Sequence, residues 1–308
     1  MKGRVSVVIP TFNRARLLPR AIDGVLRQTA AALCDIIVVD DGSTDDTPRV
    51  IAGYGRHVSY LRQPNRGAGA ARNAGIRAHR NEFVAFLDSD DTWLPEKIAT
   101  QLDALARWPQ AGFVAGEARG IQPDGATVTR DWSTLPRDGP CDLAPLLFER
   151  NPLATPAVLV RRTLLARTGL FRPCLRWAQD YDLWLRLACR APGILQSRLV
   201  AEYAVAAPNS LSHSASAQLD CAVRALRFAH GELRHRPDCR PHWRRGIVRY
   251  LSVLRDRAFR ERRFPAAARY GLLSLAYAPR GRARWEWGRT LHAGLRALTD
   301  GSRRRCIR

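Results

Sequence analysis

Phe83-Val84-Ala85-Phe86-Leu87-Asp88-Ser89-Asp90-Asp91 runs from five apolar residues straight into a turn that carries three carboxylates in four positions. An unbroken apolar run of this length predicts a strand buried on both faces, as in a parallel sheet covered by helices. Polar residues just beyond the carboxyl end of such a strand lie where open α/β sheets bind ligands. Three like charges in one tight turn repel each other, and a hard divalent cation taking oxygen ligands offsets that repulsion. The competing reading is a loop whose acids only cap the helix that follows.

Upstream, Val5–Pro10, Cys34–Asp41 and Val58–Leu61 read as further strands, with Glu82–Leu87 as the fourth. Between them Leu18, Ile22, Val25 and Leu26 form one helical stripe, and Ile98, Leu102 and Leu105 form another downstream. Pro48, directly after a candidate cap at Thr47, and Pro95 stand where first helical turns begin. The first strand ends in Pro10-Thr11-Phe12-Asn13-Arg14 and the second in Asp40-Asp41-Gly42-Ser43-Thr44-Asp45, so three polar strand ends converge on one crevice. Asn65-Arg66-Gly67-Ala68-Gly69-Ala70-Ala71-Arg72-Asn73 has a Gly-x-Gly but lacks the third glycine of a dinucleotide fingerprint; it predicts a helix start from which Arg72 points back at phosphate or base.

Residues 121–150 loosen into Gly, Pro and Asp-rich segments, after which Thr155–Arg161 reads as a strand followed by a helix ending near Gly169. Strands stop beyond about 217, and Ile247–Phe259 and Ala266–Leu275 predict Arg-rich amphipathic helices. With 308 residues, 46% of them hydrophobic, the chain can bury a real core. No apolar run reaches membrane-spanning length, and Met1-Lys2-Gly3-Arg4 leads directly into the first strand, so a cytoplasmic protein is expected. Seven cysteines without a Cys-x-x-Cys pair indicate neither a disulfide framework nor a zinc finger. Of the net charge of +22, residues 221–308 carry +17, and lysine occurs only at positions 2 and 97.

In their order and spacing, Val5–Asn13, Ile36–Thr47, Asn65–Gly75 and Phe83–Trp93 resemble the nucleotide-sugar-binding half of family 2 glycosyltransferases, and Asp88-Ser89-Asp90 is similar to that family's Asp-x-Asp metal motif. The resemblance covers roughly residues 4–217. It implies the GT-A fold: an α/β, Rossmann-like, mostly parallel sheet flanked by helices. The expected layout is a domain over 1–217, with a donor half over 1–118 and an acceptor half over 119–217, followed by a basic helical extension over 218–308. The resemblance further implies that Thr11 and Asp41 line the nucleoside pocket, Asp41 accepting from the base. It places Arg72 nearby, Asp88 on the ribose side, and Mg2+ or Mn2+ on Asp88 and Asp90 with the donor diphosphate.

In Trp177-Ala178-Gln179-Asp180-Tyr181-Asp182-Leu183-Trp184 similar proteins carry Glu-Asp at a helix start, the Asp taking the proton of the acceptor hydroxyl; Asp180 occupies that place and Gln179 departs from the Glu. A carboxylate at a helix N-terminus is favoured as the anion. The bland alternative is that Asp180 and Asp182 only cap the helix. Where relatives place Arg and His over the diphosphate, Tyr203-Ala204-Val205-Ala206-Ala207 offers alanines, leaving Arg198 and His213 as substitutes to be weighed.

The implied activity is inverting transfer from a nucleotide-diphosphate sugar to a glycan or lipid-linked acceptor. A nucleotidyltransferase would want a glycine-rich loop after the first strand, and Thr11-Phe12-Asn13-Arg14 has none. The remaining rival is a binding protein with a degenerate enzyme half. A nucleic-acid partner is not expected. The tail has two readings: a solvated helical face, or a layer resting on the inner face of an anionic membrane through residues such as Trp243, Tyr250, Leu251, Phe264, Tyr270, Leu272, Leu273, Trp285 and Trp287.

Overall fold

Alternation along the first strands sets the architecture. The computed structural model describes residues 3–129, 132, 135, 138–205 and 215–278. Its N-terminal half runs β1 (Val5–Thr11), α1 (Leu18–Leu26), β2 (Cys34–Asp40), α2 (Thr47–Ala52), β3 (Val58–Arg62), α3 (Ala68–Ala78) and β4 (Phe83–Phe86). Then follow β5 (Thr92–Trp93), α4 (Lys97–Arg107), β6 (Phe113–Ile121), β7 (Thr127–Thr129), β8 (Pro140–Cys141), α5 (Ala144–Glu149), β9 (Val158–Arg161), α6 (Arg162–Thr168), α7 (Gln179–Ala188) and β10 (Gly193–Ala204). Three helices close the described chain: α8 (Ala215–Ala229), α9 (Arg240–Arg260) and α10 (Phe264–Tyr277).

The strands form one sheet in the order β3-β2-β1-β4-β9-β6-β10-β5, with β7 on β6 and β8 on β10. The block β3-β2-β1-β4 is parallel throughout, as is the pair β6 and β10, whereas β9 lies antiparallel between β4 and β6. Because successive side chains of a strand face opposite ways, each central strand feeds two cores. Val7, Ile9, Val38 and Ala85 point to the side covered by Ile22 and Val25 of α1 and Ile98, Leu102 and Leu105 of α4. Val8, Ile37, Val39, Val84 and Phe86 point to the other, where they meet Trp184 of α7.

That second core also contains Ala222, Leu226, Trp243, Ile247 and Leu251, so α8 and α9 complete it rather than lie apart from it. Trp243 donates its indole N–H to the Leu226 carbonyl at 2.8 Å, and Glu149 at the end of α5 accepts from Arg245 Nε at 2.7 Å. The expectation that Trp243 and Leu251 face lipid is therefore corrected: both are buried. Phe264, Leu272 and Leu273 of α10 are exposed, and Trp285 and Trp287 lie outside the described residues. Two local expectations also shift. Thr155–Ala157 forms a short 3-10 turn ahead of β9, so only the second half of that run is strand. Thr47 begins α2 instead of capping it, and its N–H is taken by Asp45 Oδ1 at 3.0 Å.

Candidate active site

From β1 the chain steps to β2 and β3 on one side, then returns to place β4 on the other, and this reversal opens a crevice at the carboxyl ends of β1 and β4. Thr11 closes β1 there, buried, with its Oγ1 lacking any hydrogen-bond partner. Asp41 follows β2 and is tied down by protein donors. Its Oδ1 accepts from Gln63 Nε2 at 2.7 Å and Arg66 N at 2.9 Å, and its Oδ2 from Gly67 N at 2.7 Å. Two of these donors are backbone amides of the loop leading into α3, which Asp41 therefore holds in shape. Asn13 links the first two strand ends, accepting from Thr44 N at 2.8 Å and donating its own N–H to Ser43 Oγ at 2.9 Å.

Next to them lies a cavity of about 500 Å3. Arg72, Asp88, Asp90 and Asp91 line it on one side, and Gln179 and Asp180 line it from α7, so four of the six expected site residues share it; Thr11 and Asp41 lie outside its lining. Arg72 is buried in α3, ion-paired to Asp88, with its guanidinium 5.3 Å from the centre of the Phe171 ring and its Nε unpartnered. Asp90 is held above the usual carboxylate range by burial and then by the charge of Asp88; Arg14 stands 3.8 Å away. Asp91 is pushed well above that range, first by burial and then by Asp88 and Asp90, although it accepts Ala204 N at 3.1 Å.

The acidic turn is thus short of positive charge, which is the electrostatic condition under which a divalent cation binds. Among the described residues no three histidine, cysteine or carboxylate groups converge as a complete cage. Hard oxygen donors that leave coordination positions open suit Mg2+ or Mn2+ shared with substrate phosphate and water. A second hollow, of about 360 Å3, lies by Cys34, His57 and His79 at the amino ends of β2 and β3 and contains none of these acids.

Ala178 in the left-handed conformation (φ 54°) turns the chain into α7. Asp180 and Asp182 follow two residues apart, hence about 200° apart around a helix of 3.6 residues per turn, and their fates differ accordingly. Asp180 faces the cavity and accepts Thr155 Oγ1 at 2.9 Å. Asp182 is fully buried between Arg172 and Arg186, the latter donating Nε at 3.0 Å and Nη2 at 2.8 Å. Gln179 is 5% exposed, with its Oε1 unpartnered against Gly69 of α3, where a Cβ would collide with it. Arg72 and Gln179 thus both line the cavity and each keeps a buried polar atom, Nε and Oε1, without a protein partner.

The carboxyl end of β10 brings Tyr203 and Ala204 to the cavity. Arg198 is not available as a substitute cation there, because it pairs with Glu96 at 2.8 Å and does not line the cavity. His213, Ala206 and Ala207 lie outside the described residues. Sequence reasoning missed Leu219, Ala222 and Tyr250, which line the same cavity from α8 and α9. The only signal was their apolar spacing among arginines, which reads equally as a surface stripe.

Residues 6–157 match the family described as Glycosyl transferase family 2. A glycosyltransferase of uncharacterised activity from Rickettsia prowazekii (strain Madrid E) is 32% identical over 193 residues, covering 59% of this chain and 58% of that protein. The chain spans 32–58% of the length of the first curated relatives it matches. Among solved structures, S. aureus TarS in complex with UDP-GlcNAc superposes with a TM-score of 0.74 at 18% identity, over 90% of this chain and 82% of that one. The mannosyltransferase PcManGT from Pyrobaculum calidifontis, in complex with GDP-Man and Mn2+, gives 0.64 at 20% identity, over 97% and 81%. At such identities the likeness is one of fold: mixed α/β with helices flanking the sheet, as in GT-A glycosyltransferases.

Proposed function

We propose, from the premise that residues 6–157 place this chain in glycosyl transferase family 2, that the protein transfers a sugar from a nucleotide-diphosphate donor to an acceptor hydroxyl with inversion at the anomeric carbon. The observation that carries this reading is the convergence, on one cavity, of the acidic turn after β4, Arg72 of α3 and Asp180 of α7, about ninety residues further along the chain. Asp88 and Asp90 would hold Mg2+ or Mn2+, which when bound neutralises the diphosphate leaving group. Thr11 Oγ1 and the loop shaped by Asp41 receive the nucleoside. Arg72, kept close by its ion pair with Asp88, adds a fixed positive charge beside the phosphates.

Asp180 accepts the proton of the acceptor hydroxyl as its oxygen bonds to the anomeric carbon and the bond from that carbon to the diphosphate breaks. Its place in the first turn of α7 turns it to the cavity, and the Thr155 hydroxyl that donates to it fixes its orientation. Gln179 beside it is neutral and adds no further charge to a cavity that already carries four carboxylates.

A thermal-shift series with UDP, GDP, dTDP and CDP, each with and without Mn2+, tests the reading, since a ligand that binds only the native state raises its stability. One nucleotide should raise Tm strongly with Mn2+ and weakly without it. No shift with any nucleotide would refute the donor assignment. For the basic extension we propose contact with anionic lipid through the exposed Phe264, Leu272 and Leu273 of α10 and the arginines around them. Co-sedimentation with anionic vesicles that is lost at high salt supports it; equal binding to neutral vesicles contradicts it.

A further inference from the structure

The lining of the cavity combines two chemistries. Beside the carboxylates, Arg72 and other polar groups, Leu153, Trp177, Leu219, Ala222 and Tyr250 give it apolar surface. Three of these five belong to helices α8 and α9, beyond the segment that matches the family.

Those helices are held in place. Their apolar faces share the core of Trp184, Arg190 is ion-paired to Glu232, and Arg236 donates to Asp142 at 2.6 Å. Tyr250 is itself positioned: its ring stands 6.1 Å from that of Tyr181. Tyr181 in turn donates to the Leu147 carbonyl at 2.6 Å. A half-buried aromatic ring, supported from behind and aimed into a site that also presents Trp177, is a platform for an apolar face.

We propose that Tyr250 is an acceptor-positioning residue, and that α8 and α9 form an acceptor subsite selecting a glycoside whose aglycone next to the reacting sugar is apolar. The inference rests on the glycosyltransferase reading. A bare polar sugar would leave the half-buried apolar surface of Trp177, Leu219 and Tyr250 facing water, whereas an aglycone with an aromatic or aliphatic surface covers it and leaves the sugar hydroxyls at Asp180. Tyr250 comes from α9, beyond the segment that matches the family, and is assigned here to the acceptor and not the nucleotide.

The test uses matched p-nitrophenyl and methyl glycosides of glucose, galactose, mannose and N-acetylglucosamine. Affinity for the full chain is measured by calorimetry with Mn2+ and whichever of UDP, GDP, dTDP and CDP gives the largest thermal shift. In at least one pair the aryl glycoside should bind about tenfold tighter, the scale of one aromatic contact with its burial. Tyr250→Ala should reduce that preference to near unity, Tyr250→Phe should keep it, and both variants should retain the parent's nucleotide-induced shift. Absence of preference in every pair, or a preference unchanged in Tyr250→Ala, overturns the subsite while leaving the donor reading standing. Absence of any nucleotide shift in the parent overturns the donor reading and this inference with it.

Discussion

Lys97, one of two lysines in the chain and the first residue of α4, is 1% exposed, its Nζ donating to Gln101 Oε1 at 2.7 Å and lying 4.3 Å from the centre of the Trp93 ring. Among the described residues no carboxylate pairs with it, and burial lowers its pKa from 10.5 to about 7. Above pH 7 the folded protein therefore releases a proton that the unfolded chain still holds, so this residue's contribution to stability improves as pH rises from about 7 toward 10.5. Below pH 7 the buried charge is present in full. Integrating the shift at 1.36 kcal/mol per pH unit gives a change of about 2–3 kcal/mol between pH 6 and 9.

Four thiols act in the opposite sense: desolvation pushes the half-buried Cys34 and Cys141 up to about 11 and the buried Cys189 and Cys239 up to about 12, so their contributions fall as the unfolded thiols ionise. The clean observable is accordingly a difference between two chains that share those thiols. Lys97→Met removes the charge at similar volume, leaving Gln101 still donating Nε2 to the Ala157 carbonyl at 2.8 Å. Urea denaturation at pH 6, 7, 8 and 9 should show the stability of Lys97→Met relative to the parent falling by about 2–3 kcal/mol across the range. A difference independent of pH would refute the claim that Lys97 titrates within it.

Asp180→Asn should keep nucleotide binding and lose at least about a hundredfold in transfer rate, measured as nucleoside diphosphate release with acceptor present. Asp182→Asn should behave oppositely, destabilising the fold by about 3–5 kcal/mol in denaturant because the buried Arg186 and the half-buried Arg172 lose their shared partner; a dead but fully stable Asp182→Asn would move the base to that position. Gly246→Ala places a methyl group on the Phe148 carbonyl where α9 presses against α5, and should destabilise by about 1–3 kcal/mol in the same assay.

What was legible in the sequence was whatever depends on short-range pattern. The apolar runs at Val7, Ile37 and Ala85 specify strands buried on both faces, and the polar residues at their carboxyl ends had nowhere to project but the crevice. Asp88, Asp90 and Asp180 could be picked out because strand-to-turn and helix-start chemistry is local. Less legible was which carboxylate a distant group would occupy: Asp41 is held by the loop at 63–67, and Asp182 by Arg172 and Arg186, contacts that only the folded chain creates. The tail was the least legible part, because an amphipathic helix among arginines looks the same whether its apolar stripe meets lipid or, as with Trp243 and Leu251, the Trp184 core.

The most direct test of the central claim is donor turnover by the parent and by Asp90→Ala, following nucleoside diphosphate release from nucleotide sugars with Mn2+ and again with chelator. Asp90 lies in the turn after β4 and contributes to neither hydrophobic core, so its removal should leave the denaturation curve of the chain near the parent's. The account predicts release by the parent with Mn2+, and its loss both on chelation and in Asp90→Ala. Release at the parental rate in Asp90→Ala, or equal rates with and without chelator, would contradict it.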